Sequence, residues 1–267
     1  MTGFHVIAGG GETLLHPTIR KIRASDVVEA LRAGFDDFRA KPSHYAFLAL
    51  IYPLVGVVLA AWTSGNNALP MLFPLMSGFA LIGPVAGLGL YEISRRREAG
   101  LDASWWHALD VRNSPAVPAI AATGIWLLIL FIAWLLAAKG LYAALFGAGP
   151  VPPMATFFHE VFTTSRGWAL IVLGNLTGFL FAVIVLSTTV IAFPLLLDRD
   201  VGAYEAVTGS ARATMANPGP MALWGLIVAA GLAIGSLPLF AGLAIVIPIL
   251  GHATWHVYRK VVVPPAS

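Results

Sequence analysis

Charged residues divide the chain into long apolar stretches. No Lys, Arg, Asp or Glu occurs in residues 42–91, 113–138, 167–197 or 213–258. A helix rises about 1.5 Å per residue and the hydrocarbon core of a bilayer is about 30 Å thick, so the first and last stretches are each long enough to cross a membrane twice. The pattern therefore predicts six spans, at about residues 44–63, 70–91, 116–138, 168–193, 220–236 and 239–257.

Each of the two longest stretches contains a sequence at which the chain can reverse. Ser64-Gly65-Asn66-Asn67 is followed by Pro70, and Ser236-Leu237-Pro238 interrupts the last stretch. Residues of these types favour turns. We therefore expect an all-α polytopic membrane helix bundle, with six transmembrane helices arranged as three hairpins.

Short amphipathic segments precede the outward-going spans. The first is Asp26–Arg39, and one helical face of this segment carries Val27, Leu31, Phe35 and Phe38. Residues 29–51 align without gaps with residues 205–227, and the two segments are identical at seven of 23 positions. The identical positions include Glu29 with Glu205 and Pro42 with Pro218. This similarity favours three repeated hairpins, each led by an interfacial helix. The alternative is the general similarity that any two membrane helices share.

The basic residues are distributed unequally between the two sides of the predicted membrane. Fourteen Lys and Arg fall on the side that includes the arm before the first span, against two, Lys139 and Arg166, on the other. Such a bias places both termini in the cytoplasm. The predicted divisions are a cytoplasmic arm with an amphipathic helix (1–43), a six-span membrane domain (44–260) and a short tail (261–267). Residues 1–40 lack an apolar run of signal-peptide length, so we expect the spans themselves to direct insertion.

The composition agrees with a lipid environment. Apolar residues make up 58% of the chain and charged residues 11%, whereas average proteins carry about 25% charged residues. This composition disfavours a water-soluble enzyme, a disordered chain or a nucleic-acid-binding protein. The absence of cysteine excludes disulfides, thiolate metal sites and cysteine nucleophiles.

Three polar and aromatic blocks carry a family resemblance. They are Gly83-Pro84 through Gly89–Glu98, Pro194–Arg199 and Gly251–Arg259. Together they resemble the bacterial integral-membrane family known as domain of unknown function 2189, over about residues 20 to 260. The resemblance implies a multi-pass protein of the bacterial inner membrane, and it supplies no catalytic residues to transfer to this chain.

His252 and His256 are four residues apart and share one face of a helix, so both could reach one metal ion, haem iron or proton site. His107, beside Trp105 and Trp106, is a third candidate for this site. A zinc hydrolase would carry Glu after the first histidine, where this chain has Ala253. The alternative hypothesis places the pair at the cytoplasmic interface, in an aromatic and basic anchor formed with Trp255, Tyr258 and Arg259.

Arg95, Arg96 and Arg97 directly follow the second span. Their simplest role is to hold this end of the span in the cytoplasm. A second role is a site for lipid headgroups, because cations at the inner leaflet attract anionic lipids at about 1 kcal/mol each. We expect Glu92 and Asp198, at the cytoplasmic ends of their spans, to form salt bridges with nearby arginines.

The predicted spans carry few polar groups and no ionisable group at mid-membrane. Asn175 and Thr177 form the candidate intramembrane polar site. A transporter would use such residues together with proline-broken helices. More commonly these side chains form hydrogen bonds with a neighbouring helix or with their own backbone. The prolines on which broken helices would depend are at positions 53, 74, 84, 194, 238 and 248.

On the outer side, residues 154–162 form a predicted amphipathic helix with Phe157, Phe158, Val161 and Phe162 on one face. Such a helix suits the outer leaflet of the membrane. The alternative is a docking face for another membrane subunit.

No nucleophile triad, buried carboxylate pair, phosphate-binding loop or metal motif appears in the sequence, so we expect no enzymatic activity and no cofactor. The leading hypothesis is a non-catalytic scaffold, assembly or lipid-organising protein. Its partners would be the bilayer, anionic lipids and another membrane protein complex. A net charge of +3 gives no support for nucleic acid. The alternative is a small-molecule transporter or permease, and a lesser one is a haem or metal site at the histidine pair.

Overall fold

The computed structural model describes residues 17–40, 69–81, 83–147, 152–238 and 241–264, with the single positions 6 and 149. Every element assigned within these ranges is a helix, which confirms the all-α prediction for this part of the chain. The predicted first span, 44–63, lies outside the described residues.

The α-helices are α1 (Ala24–Ala40), α2 (Leu72–Leu81), α3 (Gly83–Ala86), α4 (Leu88–Glu98), α5 (Val117–Phe146), α6 (Met154–Thr163), α7 (Ser165–Thr189), α8 (Ala192–Asp198), α9 (Gly202–Ala216), α10 (Pro218–Ser236) and α11 (Leu243–Val261). Two 3-10 helices, Leu69–Met71 and Trp105–Asn113, precede α2 and α5.

Four helical stretches are long and apolar enough to cross a membrane: Leu72–Glu98, Val117–Phe146, Ser165–Asp198 and Pro218–Ser236. They cover the second, third, fourth and fifth predicted spans. The sixth predicted span coincides largely with α11, which is not among these four. The C-terminal part of α11 carries two histidines, Arg259 and Lys260, and these residues lower its apolar character.

Helices α5 and α7 expose large apolar side chains to their surroundings. Leu136 and Phe179, for example, are each 64% exposed. In water such surfaces would be unfavourable, whereas in hydrocarbon they are the normal surface of a spanning helix.

The chain divides into two compact units. The first unit comprises Met1–Pro53, Pro84–Ile125 and Leu186–Ser267, and the second comprises Leu54–Gly83 and Trp126–Val185. The polar side chains discussed below as a candidate site belong to the first unit.

In the first unit, α1 packs closely against α11. The buried residues of α1 are Val27, Ala30, Gly34 and Asp37. Phe35, on the predicted apolar face, is 44% exposed. Gly34 permits the contact with α11: a Cβ atom there would lie 2.6 Å from both Cα and Cβ of Ala253, so the two backbones approach more closely than a larger residue would permit.

The two described ends of the first unit are joined. Ile19 and Val262 form an antiparallel bridge, with Arg20 N donating to Val261 O at 2.7 Å. Asn217, buried between α9 and α10, secures the same segment, since its Oδ1 accepts from Ile22 N at 2.8 Å and its Nδ2 donates to Arg20 O at 3.0 Å. Residues 19 and 262 therefore lie side by side.

Small residues permit close packing of neighbouring helices in both units. A Cβ on Gly231 would lie 3.1 Å from Val246, and one on Gly235 would lie 3.2 Å from the backbone of Leu243, so α10 and α11 approach closely. In the second unit, Trp134 is buried, and its Nε1 donates to Pro74 O at 2.8 Å. Residue Gly178 faces the same indole ring.

Gly34→Ala should destabilise the first unit because the added methyl group enters the backbone of α11. We expect the free energy of unfolding to fall by about 1–3 kcal/mol, the usual cost of overpacking. Guanidinium titration of the full-length protein in detergent micelles measures this loss. Gly219→Ala is the matched control: it lies in α10, and nothing in the described chain is within 4 Å of its added Cβ. Equal stability of the two variants would contradict the close contact.

Candidate functional site

The C-terminal end of α4 is fixed by its backbone. Gly100 has φ of +68°, which favours glycine, and donates to Arg97 O at 3.1 Å, while Leu101 N donates to Arg96 O at 2.9 Å. These two hydrogen bonds form the Schellman arrangement that ends many helices. The helix therefore ends immediately after a turn that contains Ser94 and three arginines.

A buried polar network joins α1, α4 and α11. Ser94 Oγ lies 2.5 Å from Asp37 Oδ2 and 2.7 Å from His252 Nδ1. Since a hydroxyl has one proton, donation to the carboxylate leaves the Ser94 oxygen to accept from the imidazole. His256 Nε2 lies 2.9 Å from the same Asp37 oxygen. Ser94 and His252 are 0% exposed, and Asp37 is 6% exposed.

Arg97 holds the end of α1 against α4. Its Nε lies 3.4 Å from Asp37 Oδ1, and its Nη1 donates to the backbone oxygen of Asp37 at 3.0 Å. The last carbonyls of a helix lack partners within the helix and carry partial negative charge, so a guanidinium at this position is favourable. Arg97 therefore stabilises both the Asp37 carboxylate and the last carbonyl groups of α1.

The environment keeps Asp37 ionised. Burial alone would raise the pKa of this carboxyl, but hydrogen bonds from His256 and Ser94 and the nearby histidines outweigh burial, and the pKa lies below its ordinary value. A buried carboxylate that accepts several hydrogen bonds can remain charged, whereas burial of a carboxylate without such partners would be unfavourable.

The network contains serine, histidine and aspartate, but it differs from a hydrolase triad. In a triad the carboxylate binds the far nitrogen of the histidine, and the serine points toward substrate. Here Asp37 bonds to Ser94 directly, and the serine has no exposed surface. The arrangement joins three helices, with the serine and His252 enclosed between them.

The three candidate histidines fall in two places. His252 Nδ1 and His256 Nε2 lie 3.9 and 2.9 Å from Asp37 Oδ2, so the predicted pair shares one carboxylate. His107 instead contacts Asp110, 2.5 Å from its Nδ1, and Asp102, 3.3 Å from its Nε2. Within the described ranges, no group of three or more His, Cys, Asp or Glu is arranged to hold a metal ion.

The predicted aromatic anchor was wrong in its location, because its rings are buried in the first unit. Trp255 is 1% exposed, and its Nε1 donates to Glu98 Oε2 at 2.9 Å. Tyr258 is 0% exposed and donates to Asp198 Oδ2 at 2.5 Å. Burial raises the pKa of Tyr258, and the Asp198 charge raises it further. Packing against α4 and α8 replaces the expected contact with headgroups.

The three arginines of α4 are each paired with an acid. Arg95 forms a two-pronged pair with Glu92, with both N···O distances 2.7 Å. Arg96 contacts Glu92 and Asp110, each at 2.9 Å, and Arg97 contacts Asp37 as described above. The predicted salt bridge of Glu92 is confirmed, and Asp198 lies 3.5 Å from Arg199 Nε and 3.7 Å from Arg259 Nη1.

A pocket of about 350 Å³ opens beside these arginines. It lies at the ends of α4 and α8 and at the segment that leads into α5. Its charged lining consists of Glu92, Arg95, Arg96, Asp110, Asp198, Arg199 and Asp200.

The candidate intramembrane polar residues bond to their own helix. Asn175 Nδ2 donates to Ile171 O at 2.7 Å, and Thr177 Oγ1 donates to Leu173 O at 2.8 Å. Such bonding to the helix backbone is the common alternative to a role in transport. Asn175 is exposed on α7.

Two of the four candidate spans are interrupted near prolines. Leu72–Glu98 is interrupted by a turn at Gly87, three residues after Pro84, and Ser165–Asp198 is divided into α7 and α8 before Pro194. At the second interruption, the amide of Ile191 donates to Ser210 Oγ at 3.3 Å, and Ile191 is 0% exposed. The protein itself therefore satisfies this amide.

The predicted outer helix is present as α6, but its aromatic face is divided. Phe157 and Val161 are buried against residues of α2, α5 and α7 in the second unit. Phe158 and Phe162 are 44% and 58% exposed. One edge of the helix anchors it to the unit, and the other faces outward.

Sequence reasoning did not identify Asp37, Ser94 or Arg199. Asp37 could have been found, because Val27, Ala30, Gly34 and Asp37 recur at helical spacing and contain the small residues of a close helix contact. No pattern in the sequence distinguishes Ser94. Its importance comes from two partners that are 57 and 158 residues away along the chain.

The model of the family described as "Predicted integral membrane protein (DUF2189)" matches residues 72–198. The match confirms the family resemblance for those residues, which include three of the four candidate spans. No curated protein and no solved structure matches the chain. The protein is an integral membrane protein with several apolar helices.

Asp37→Ala should strongly destabilise the first unit because it leaves Arg97, Ser94 and His256 without their shared acceptor. Breaking a buried charge pair costs about 3 kcal/mol or more, and guanidinium titration in micelles should show a loss of that size. The neighbouring Asp36→Ala is the control, since this side chain is exposed. A loss no larger than that of the control would show that the network adds no stability.

Acid should weaken the protein through Asp37. Because the folded pKa lies below the ordinary value of 3.8, the stabilisation is complete above that pH and is lost as the pH falls through the folded pKa. We expect Asp37→Asn to lose less stability than the wild type between pH 5 and 2, as measured by heating in detergent. The pKa values of Asp102 and Asp110 are also lowered, chiefly by hydrogen bonds from Ser104 and His107, and they contribute equally to both proteins. Parallel profiles would contradict this assignment.

Proposed function

We propose that this protein is a non-catalytic scaffold of the bacterial inner membrane, which supports the assembly of another membrane complex or organises lipid. The main support for the proposal is that the reactive side chains of the buried polar network are hydrogen-bonded to one another. Asp37, Ser94 and His252 are buried and bonded together, and their bonds join α1, α4 and α11. Such a network specifies a rigid structure and leaves no group for a substrate.

The proposed topology has six spans in three hairpins, with both termini in the cytoplasm. The bias of basic residues supports this orientation. The bridge between Ile19 and Val262 supports an even number of crossings, since neighbouring residues lie on the same side of the membrane. In this arrangement the buried network and the paired arginines belong to the cytoplasmic side, and the short segments before the spans lie at the interface.

Lipid is the partner that the exposed apolar surfaces of α5 and α7 favour. A role for Arg95, Arg96 and Arg97 in attracting anionic headgroups is weaker than the sequence indicated, because each is paired with Glu92, Asp110 or Asp37. Their larger contribution in this proposal is to the rigidity of the cytoplasmic side.

The second candidate function is transport of a small molecule. The interruptions near Pro84 and Pro194 favour it, because transporters build substrate sites from broken helices. Two observations oppose it: the amide of Ile191 is satisfied by Ser210, and Asn175 and Thr177 bond to their own helix. Irregular backbone enclosed by protein is a structural feature of many membrane helices.

Affinity purification of the full-length protein in mild detergent should recover a membrane-protein partner or enriched lipid at a fixed ratio. We expect Asp37→Ala to reduce the recovered partner or lipid several-fold because the cytoplasmic side loses its rigid form, whereas Asp36→Ala should retain it. Wild-type protein recovered alone and without enriched lipid would contradict the proposal. Uptake into proteoliposomes that is abolished by Asn175→Ala or Thr177→Ala would support transport instead.

A further inference from the structure

The pocket beside Arg95 and Arg96 combines positive and negative groups that are not all matched to one another. Three arginines and four carboxylates line it, so its formal charge is one negative. A pocket built for an anion alone would carry an excess of positive charge. The lining therefore disfavours the anionic lipids that the arginine run by itself would attract.

Two guanidinium groups in this pocket retain donors for a ligand. Arg199 Nη1 makes no hydrogen bond with the described part of the chain, whereas its Nε is buried and lies 3.5 Å from the nearest acid oxygen, on Asp198. Its Nη2 is occupied, since it donates to Val263 O at 2.5 Å. Arg95 uses Nε and Nη2 to bind Glu92, and its Nη1 makes no hydrogen bond with a described residue.

One carboxylate of the pocket is also available. Asp200 is exposed, and it forms no salt bridge with any residue in the described ranges. The other three acids are engaged: Glu92 and Asp110 bind arginines, and Asp198 accepts from Tyr258. The pocket thus offers donors for an anionic group on one side and an acceptor for a cationic group on another.

The position of the pocket indicates how a ligand would reach it. Glu92 and Asp198 stand at the ends of two candidate spans, and Pro115 and Ala116 directly precede a third. Ends of spans lie at the depth of lipid headgroups. A volume of about 350 Å³ suits a small polar group, near the lower limit of about 300 Å³ for ligand pockets, and is too small for acyl chains.

From the juxtaposition of Arg95, Arg199 and Asp200 we infer that this pocket binds a zwitterionic phosphate ester with a primary ammonium group, the chemistry of an ethanolamine phospholipid headgroup. The phosphate oxygens accept from Arg95 Nη1 and Arg199 Nη1, and the ammonium donates to Asp200. Arginine suits phosphate because its donors match the oxygen geometry. Leu197, a partly exposed residue of the lining, would contact the start of the acyl chains. This inference deepens the lipid-organising role and rests on it.

The test measures which lipid the purified full-length protein retains. Protein in mild-detergent micelles is mixed with equal amounts of phosphatidylethanolamine and phosphatidylglycerol, washed, and analysed by native mass spectrometry. We expect phosphatidylethanolamine to be retained in preference. Asp200→Asn should lower its retention about tenfold, the effect of one hydrogen bond to a charged group. Asp200→Lys should reverse the preference toward phosphatidylglycerol because the pocket becomes positive.

The matched controls are Asp36→Asn and Asp36→Lys. Asp36 is another exposed carboxylate of the first unit, and it does not line this pocket. These variants should retain the wild-type preference. Because Asp200 makes no salt bridge within the described chain, its substitution should leave the unfolding titration unchanged, and this measurement verifies that each variant is folded.

A second arm identifies the source of the phosphate ester. Soluble glycerophosphoethanolamine is added to washed protein, with glycerophosphoglycerol as the comparison. Retention of the lipid identifies a membrane headgroup as the occupant, whereas binding of the soluble compound without lipid retention identifies a free phosphate ester; both support the inference. Equal retention of the two lipids with no binding of the soluble compound, or Asp200 variants that behave like Asp36 variants, would overturn it. If this inference fails while affinity purification still recovers a membrane-protein partner or another enriched lipid, the proposed function stands, so the two failures are distinguishable.

Discussion

The first unit depends on the contact between α1 and α11, in which two backbones meet at Gly34 and Ala253. At this distance a carboxylate on α1 is placed among the histidines of α11 and the serine of α4. Asp37 would be costly to bury alone, but Ser94, His256 and Arg97 supply donors to it. Close backbone packing and complete hydrogen bonding thus require each other: the glycine permits the approach, and the network makes the buried charge stable.

The last turn of α4 carries a serine and three arginines that are all bonded within the first unit. The arginines that support the proposed orientation are also the cations that neutralise the acids of this unit. One short sequence therefore serves both the proposed orientation and the stability of the unit.

The sequence indicated the features that depend on local pattern. Charge-free stretches predicted the positions of four apolar helices. The polar network could not be predicted, because Ser94 and His252 are distant in sequence and the partners of a polar side chain are set by tertiary packing. The burial of Trp255 and Tyr258 could not be predicted for the same reason. Both are residue types that favour a membrane interface, yet here they are buried against acidic side chains. The type of a residue indicates that it suits a membrane interface, but it does not indicate which neighbouring side chains will bury that residue.

The bridge between Ile19 and Val262 has a consequence for biosynthesis. Ile19 and α1 are made long before Val262, the bridge partner of Ile19, and before α11, the helix that packs against α1. Until then, Val27, Ala30 and Asp37 have no α11 to pack against. Contacts this distant in sequence form slowly, and a waiting apolar face is prone to wrong associations. Translation that stops before residue 243 would therefore leave an inserted chain whose first helix has nowhere to dock, a species that membrane quality control could recognise.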